Sequence, residues 1–211
     1  VEVEGGGVEG HEGTTGEMIS IIIPLMPIEP YDRVVKNCVE SINKQNVNKE
    51  VIIVQQAIER YILKNKLLNE GFKRSKGDTV FFCDADMTFD DPSVLGKMQA
   101  KLDEGYDVVF PKFMSWQYEQ LKIADGAPCF KRNVMLKHGV LNTGLKGISW
   151  VTFPFLEWCL ENTKYYCGDD IVVGHQRVSG KGKRNGQTAS YMRPVFKRTV
   201  KRLKKEGLWP A

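Results

Sequence analysis

Two aspartates one residue apart, Asp84 and Asp86, close a run of β-branched and aromatic residues that starts after Gly77-Asp78. Thr79-Val80-Phe81-Phe82-Cys83 is apolar almost throughout and is followed by the turn-forming Asp90-Asp91-Pro92. Such a run reads as a strand buried on both faces. Side chains alternate along a strand, so Asp84 and Asp86 point the same way where strand gives way to loop. Neighbouring carboxylates repel, and burying them is costly unless they share a cation. Mg2+ and Mn2+ take oxygen ligands, and Mg2+ commonly uses one or two carboxylates plus substrate phosphates. The plain alternative is that one aspartate caps the next turn and the other is solvated, because Asp-x-Asp alone is a weak pattern.

The elements that must hold this pair alternate between strand and helix. Ser20-Ile21-Ile22-Ile23-Pro24-Leu25 reads as a first buried strand, ended by the Pro-rich residues 24–30. Residues 31–44 carry Val34, Val35, Cys38, Val39 and Ile42 at helical spacing. Glu50-Val51-Ile52-Ile53-Val54 reads as a second strand, residues 59–68 as a helix, and 79–83 as the third strand. Solid apolar strands alternating with helices predict an α/β fold with a mostly parallel sheet covered on both faces. Ligands of such sheets bind outside the carboxyl ends of the strands. Asp84 and Asp86 lie at one such end, as do the Pro24 loop and Gln55-Gln56.

Further elements are expected as a helix over 93–103, a strand over 107–110, a short strand over 128–131 and a helical turn over 132–137 stopped at Gly139. The aromatic stretch 150–160 reads as a helix with Leu156, Cys159 and Leu160 inward, and 194–207 as a cationic helix. Gly168-Asp169-Asp170 before the apolar start of 171–177 has the form of a helix N-cap. Residues 1–17, rich in Gly and Glu, read as a flexible tail, 18–193 as a single domain and 194–211 as a basic helix and tail.

A chain of 211 residues, 42% hydrophobic and 27% charged, suits one globular domain. A net charge of +4 does not argue for nucleic acid, and the cationic residues lack an aromatic-lined motif. No apolar run approaches the roughly 20 residues of a membrane span. Five scattered cysteines with no CxxC spacing read as reduced thiols of a cytoplasmic protein.

The segment from Asn69 through Gly71, Ser75, Gly77-Asp78 and Phe82 to Asp84-Ala85-Asp86 resembles the N-x-G-x-x-x-[AS]-x-G-[DE]-x-[IV]-x-F-x-D-x-D stretch of GT-A glycosyltransferases, family 2 above all. Ser20-Ile21-Ile22-Ile23-Pro24 resembles that family's first strand, and Phe130-Lys131-Arg132 through Leu136 to Gly139 its F-x-R-R-x-x-L-x-x-x-G stretch. Gly168-Asp169-Asp170-Ile171 stands where the family carries an acidic pair, so the resemblance spans residues 18–177.

The resemblance implies a GT-A, Rossmann-like domain that transfers a sugar from a nucleotide donor, a UDP-sugar first, to a hydroxyl of a glycan or glycoprotein. It implies Mn2+ or Mg2+ held by Asp86, with Asp84 beside it at the ribose or a metal-bound water. A cation there would clamp the donor diphosphate and stabilise the charge developing on the leaving group. The resemblance further implies Asp170, with Asp169, as the base that takes the acceptor's proton. Glu157 is a second candidate base. Donor contacts fall on Pro24, Gln55, Asn69, Lys73 and Ala85. The family's Asp-Asp after its second strand is replaced by Gln55-Gln56, whose amides still offer a donor and an acceptor to a uracil edge.

Other residues stay open between a role and a plain structural place. His175 reads as an additional metal ligand or a structural histidine. Trp116, Tyr118, Trp150 and Trp158 read as sugar platforms or core. Lys181-Gly182-Lys183-Arg184 reads as a diphosphate-covering loop or a solvated one. The helix bearing Lys197, Arg198, Lys201, Arg202, Lys204 and Lys205 could touch an anionic membrane, although its apolar residues favour packing on the domain. The rivals are a retaining enzyme with the same metal site, and a non-catalytic module that binds a glycan or sugar nucleotide. The short core also resembles the transferase domains of multidomain proteins, including those of large algal viruses.

Overall fold

All seven residues of β1 (Ile19–Leu25) are buried, because the strand is flanked on both edges and covered on both faces. It pairs in parallel with β2 (Lys49–Gln55) on one side and with β3 (Thr79–Phe82) on the other. The computed structural model describes residues 17–25, 31–55, 64–115, 120–124, 127–143, 152–176 and 192–209. Beyond β3 the sheet continues through β8 (Cys129–Lys131), β5 (Val108–Val109) and β9 (Tyr165–Tyr166), giving the order β2-β1-β3-β8-β5-β9. β8 runs against both its neighbours, whereas β5 and β9 are parallel. The sheet is therefore mostly parallel with one reversed strand inside it, a mixture the apolar runs could not disclose.

Alternation along the strands feeds two cores. Ile21, Ile23 and Phe81 face α1 (Tyr31–Asn43) and α3 (Val94–Asp103), meeting Cys38, Ile42, Leu95 and Met98. Ile22, Val80 and Phe82 face the other way, towards Leu67 and Leu68 of α2 (Lys64–Arg74), α4 (Arg132–His138) and α5 (Phe153–Asn162). α6 (Met192–Lys205) joins this second core through Leu203, and Trp209 just beyond it is buried there too. α6 lies along α5, with Arg198 gripping Glu157 by two hydrogen bonds. The basic C-terminal helix is thus part of the domain's packing. β2 is the edge strand, and its Ile53 is 40% exposed, so the strand is not buried on both faces as its apolar run suggests.

Several elements differ from the sequence reading in instructive ways. α2 runs through Gly71 to Arg74, past the expected end at 68. Gly71 costs helix propensity, but a Cβ there would collide with the Ile22 side chain, so the glycine lets α2 press on β1. Residues 171–176 form no helix, and Asp169 caps none: Gly174–His175 is instead β10, paired antiparallel with β4 (Met87–Thr88). A second two-stranded sheet joins β6 (Lys112–Ser115) to β7 (Gln120–Ile123). α4 ends as expected at Gly139, whose φ of 85° suits glycine. Among the described residues no helix is long and apolar enough to cross a membrane, and the five cysteines are free thiols.

The acidic cleft as candidate active site

Asp84 and Asp86 follow β3 directly, at the carboxyl end of the parallel strands. The backbone sets them firmly: the Cys83 amide donates to Ile22, the Met87 amide to the Asp84 carbonyl and the Gln176 amide to the Asp86 carbonyl. Ala85 between them is 4% exposed and belongs to the core beside α1. The two carboxylates have different surroundings. Asp84 Oδ1 lies 2.5 Å from Nζ of Lys64, whose side chain is 6% exposed. Asp86 faces His175, with Nε2 3.5 Å from Oδ2. Burial, and then the charge of Asp84, raise the Asp86 pKa.

His175 reaches Asp86 by a chain of backbone pairings. The Lys112 amide donates to Ile171 and the Val173 amide donates to Lys112, which lays 171–173 beside β6. β10 then pairs with β4, placing His175 opposite Met87, one residue past Asp86. Phe113 of β6 stacks on the imidazole at 5.1 Å and 25°. Gly174 permits the approach, since a Cβ there would strike Thr88.

The strap that delivers His175 also carries the second acidic pair. Asp169 accepts from the buried-stemmed Lys112, 2.5 Å away, and Asp170 accepts from the Tyr166 hydroxyl at 2.5 Å. The Tyr166 phenol is pushed up to about 12, chiefly by that hydrogen bond, so it stays a neutral donor. His175 follows Asp170 by five positions, a reach of at most about 18 Å. The structure thus joins Asp84, Asp86, Lys64 and His175 at one point and hangs Asp169 and Asp170 on the segment leading to it.

The remaining expected donor contacts divide. Pro24 pairs with Val54 near the end of β1, and Gln55 ends β2 with its side chain exposed. Both lie at the strand ends where Asp84 emerges. Asn69 is turned to the protein's own backbone: it is 8% exposed and its amide both donates to the Leu141 carbonyl and accepts from the Leu141 amide. Lys73 stands apart from the acidic pair. It is in the last turn of α2, nine residues and about 13 Å beyond Lys64. α2 runs back from the carboxyl ends of the strands, so Lys73 sits toward their amino ends. Glu157 is held by Arg198 in the seam between α5 and α6, and that partner lowers its pKa. Both of its carboxylate oxygens are engaged by that one guanidinium. Trp158 meets His138 edge-on at 5.1 Å. His11, Gln56, Trp116, Tyr118, Trp150 and the loop 181–184 lie outside the described residues.

Sequence reasoning missed Lys64, Lys112 and Tyr166. Lys64 had a readable signal: with Leu67, Leu68 and Gly71 it falls on one face of a helix at i, i+3, i+4 and i+7, and a lysine on an apolar face needs a partner. Lys112 and Tyr166 had none, because their partners arrive 57 and 4 residues away through a strap with no regular pattern.

The donor set suits a hard divalent cation. Two ligands bound at about 2.1 Å stand roughly 3 Å apart, close to the separation of Asp86 and His175. Among the described residues no group of three or more His, Cys, Asp or Glu side chains could hold a metal ion. Asp86 and His175 are two side chains in contact at the strand ends.

The comparisons with known proteins bear on the fold. A family model described as Glycosyl transferase family 2 matches residues 63–144. No curated protein matches the sequence. Mannosyltransferase PcManGT from Pyrobaculum calidifontis, solved with GDP-Man and Mn2+, is similar at 13% identity and a TM-score of 0.59, over 81% of this chain and 59% of that one. The catalytic domain of Drosophila β1,4-galactosyltransferase 7, solved with xylobiose, is similar at 14% identity and a TM-score of 0.63, over 87% and 79%. S. aureus TarS 1–349, solved with UDP-GlcNAc, is similar at 13% identity and a TM-score of 0.58, over 78% and 60%. The chain spans less than two thirds of the length of the mannosyltransferase and of the TarS fragment. The chain has the GT-A fold of glycosyltransferases and carries, over residues 63–144, a segment of the glycosyl transferase family 2 type.

Proposed function

We propose that this chain transfers a sugar from a nucleoside-diphosphate sugar to a hydroxyl of a glycan or glycoprotein. The observation that carries the reading is Asp86: a mostly buried carboxylate at the end of β3, raised in pKa, with a second carboxylate and an imidazole beside it. Asp86 and His175 would hold a divalent cation. When bound, it supplies positive charge to the donor diphosphate and to the departing nucleoside diphosphate. A nitrogen ligand among oxygens favours Mn2+ over Mg2+, whose sites are built from oxygen. Mn2+ accompanies the nucleotide sugar in the mannosyltransferase relative.

The chain's own residues supply the rest. Gln55, at the end of β2, can meet a uracil edge with both halves of its amide. UDP-GlcNAc in the TarS relative supports a UDP-sugar as first choice, and GDP-Man in the archaeal one keeps the base open to test. Asp170 takes the proton of the acceptor hydroxyl on the carboxylate oxygen that Tyr166 leaves uncovered. The acceptor oxygen then bonds to the anomeric carbon as the carbon–phosphate-oxygen bond breaks, inverting the centre. Asp169, neutralised by Lys112, anchors the loop.

Calorimetry tests the central claim. A panel of nucleotide sugars is titrated with and without Mn2+, with wild type and Asp86→Ala. Mn2+-dependent binding that disappears in Asp86→Ala is the expected result. Binding that is identical in both proteins and indifferent to Mn2+ would sink the reading. Release of nucleoside diphosphate from the binding sugar nucleotide then separates a transferase from a binding module.

A further inference from the structure

Lys64 is a cation sealed into the acidic cleft, and it treats the two aspartates differently. Its side chain is 6% exposed, and Nζ sits 2.5 Å from Asp84 Oδ1. α2 packs on β1 and β2, so its first turn, with Lys64, stands over the strand ends. Lys64 lies on the buried face of α2 with Leu67, Leu68 and Gly71, and its ion pair with Asp84 holds the amine at the strand ends. Asp86, 16% exposed at its side chain, faces an imidazole 3.5 Å away instead of an ammonium. A divalent ion drawn to the pair would meet a positive charge in contact with Asp84 and none in such contact with Asp86. Like charges beside a buried ammonium repel more strongly than in water.

We propose that Lys64 is a positioning residue that withholds Asp84 from the metal, leaving Asp86 as the direct carboxylate ligand. This rests on the cation site proposed above and sharpens it. The charges sum accordingly. Two carboxylates and Mn2+ would make a neutral site that holds the ion without the donor. With Lys64 the occupied site carries one net positive charge, so it holds Mn2+ loosely alone and firmly once a diphosphate arrives. Metal and nucleotide then bind as a coupled pair.

The test measures free Mn2+ by electron paramagnetic resonance, with and without UDP, in wild type, Asp86→Asn, Lys64→Met and the double variant Lys64→Met/Asp84→Asn. Lys64→Met is expected to tighten nucleotide-free Mn2+ binding by about tenfold or more, and to shrink the gain that UDP brings. The double variant removes the ion pair as a unit and is expected to bind Mn2+ within about threefold of wild type. A purely structural lysine would not tighten metal binding when removed. Unchanged or weaker Mn2+ binding by a folded Lys64→Met overturns the proposal. If Lys64→Met does not fold, because Asp84 is left without its partner, the double variant decides alone: a loss of about tenfold or more would show Asp84 to be a direct ligand. If wild type binds no Mn2+ even with UDP, or Asp86→Asn binds it as well as wild type, the cation site at Asp86 itself is wrong. If Mn2+ binding depends on Asp86 but ignores Lys64, only the role of Lys64 falls.

Discussion

Asn69 closes two hydrogen bonds with the backbone of Leu141, 72 residues along the chain, one as donor and one as acceptor. The amide thereby acts as a splice between α2 and the segment after α4. Truncation to Ala leaves a buried amide and a buried carbonyl of Leu141 unpaired, at about 2–4 kcal/mol for the two together. Asn69→Ala should lower the thermal midpoint by that measure while the folded protein keeps wild-type affinity for Mn2+ and sugar nucleotide. A selective loss of nucleotide affinity with unchanged stability would return Asn69 to the binding site.

Gly77 is set by a different constraint. A Cβ there would collide with the Met18 carbonyl and stand 2.8 Å from Ser20 Oγ. The Gly77 amide donates to that same Ser20 hydroxyl, which in turn donates to Glu50, so the glycine locks the amino ends of β1, β2 and β3 together. Gly77→Ala should destabilise by about 2 kcal/mol or more, as do other overpacked cores. Urea unfolding checks this, and a neutral result would mean that the strand ends yield more readily than their packing suggests.

These two residues explain why the sequence was informative and where it stopped. The segment 69–86 was legible because its spacing records framework: Asn69 the splice, Gly71 the helix–strand contact, Gly77 the strand junction, then the strand itself. Arg132 belongs to the same framework, with its guanidinium on the Gly77 carbonyl and the Ser75 hydroxyl. Spacing alone cannot separate residues that build the frame from residues that face a ligand, so Asn69 and Lys73 were expected at the donor. Periodicity found β1, β3, α1 and α3 because each repeats one environment. It failed over 163–176, where two-residue strands and backbone pairings from distant elements decide the shape. The His175–Asp86 approach comes from β10 meeting β4, a pairing that no local pattern encodes.

The Glu157–Arg198 pair should matter for holding α6 and not for transfer. Glu157→Gln is expected to leave turnover unchanged and to lower the thermal midpoint slightly at neutral pH. The sign in pH follows from the lowered Glu157 pKa, whose main cause is the Arg198 hydrogen bond. A carboxylate with a depressed folded pKa stabilises above its unfolded value, near 4.3, and loses that contribution as pH falls through the folded value. The midpoint difference between wild type and Glu157→Gln should therefore be present at pH 7 and vanish in acid. Loss of turnover in a stably folded Glu157→Gln would restore Glu157 as a base.

Asp170 and Tyr166 provide the sharpest test of the chemistry. If Asp170 is the base, Asp170→Asn should cut kcat by about a hundredfold or more, the usual contribution of a positioned proton acceptor. Donor affinity should stay near wild type, because the donor meets Asp86 and Gln55 instead. Tyr166→Phe removes one hydrogen bond that orients the carboxylate and should cost about tenfold at most. The tyrosine must donate, so its phenol must stay protonated. With its pKa raised to about 12 by Asp170, ionisation of Tyr166 should not set the alkaline limb of the kcat profile below about pH 11. Product stereochemistry completes the argument: inversion at the anomeric carbon agrees with direct displacement assisted by Asp170. Retention, or full turnover in Asp170→Asn, would instead assign Asp170 to anchoring the loop, as Asp169 does through Lys112.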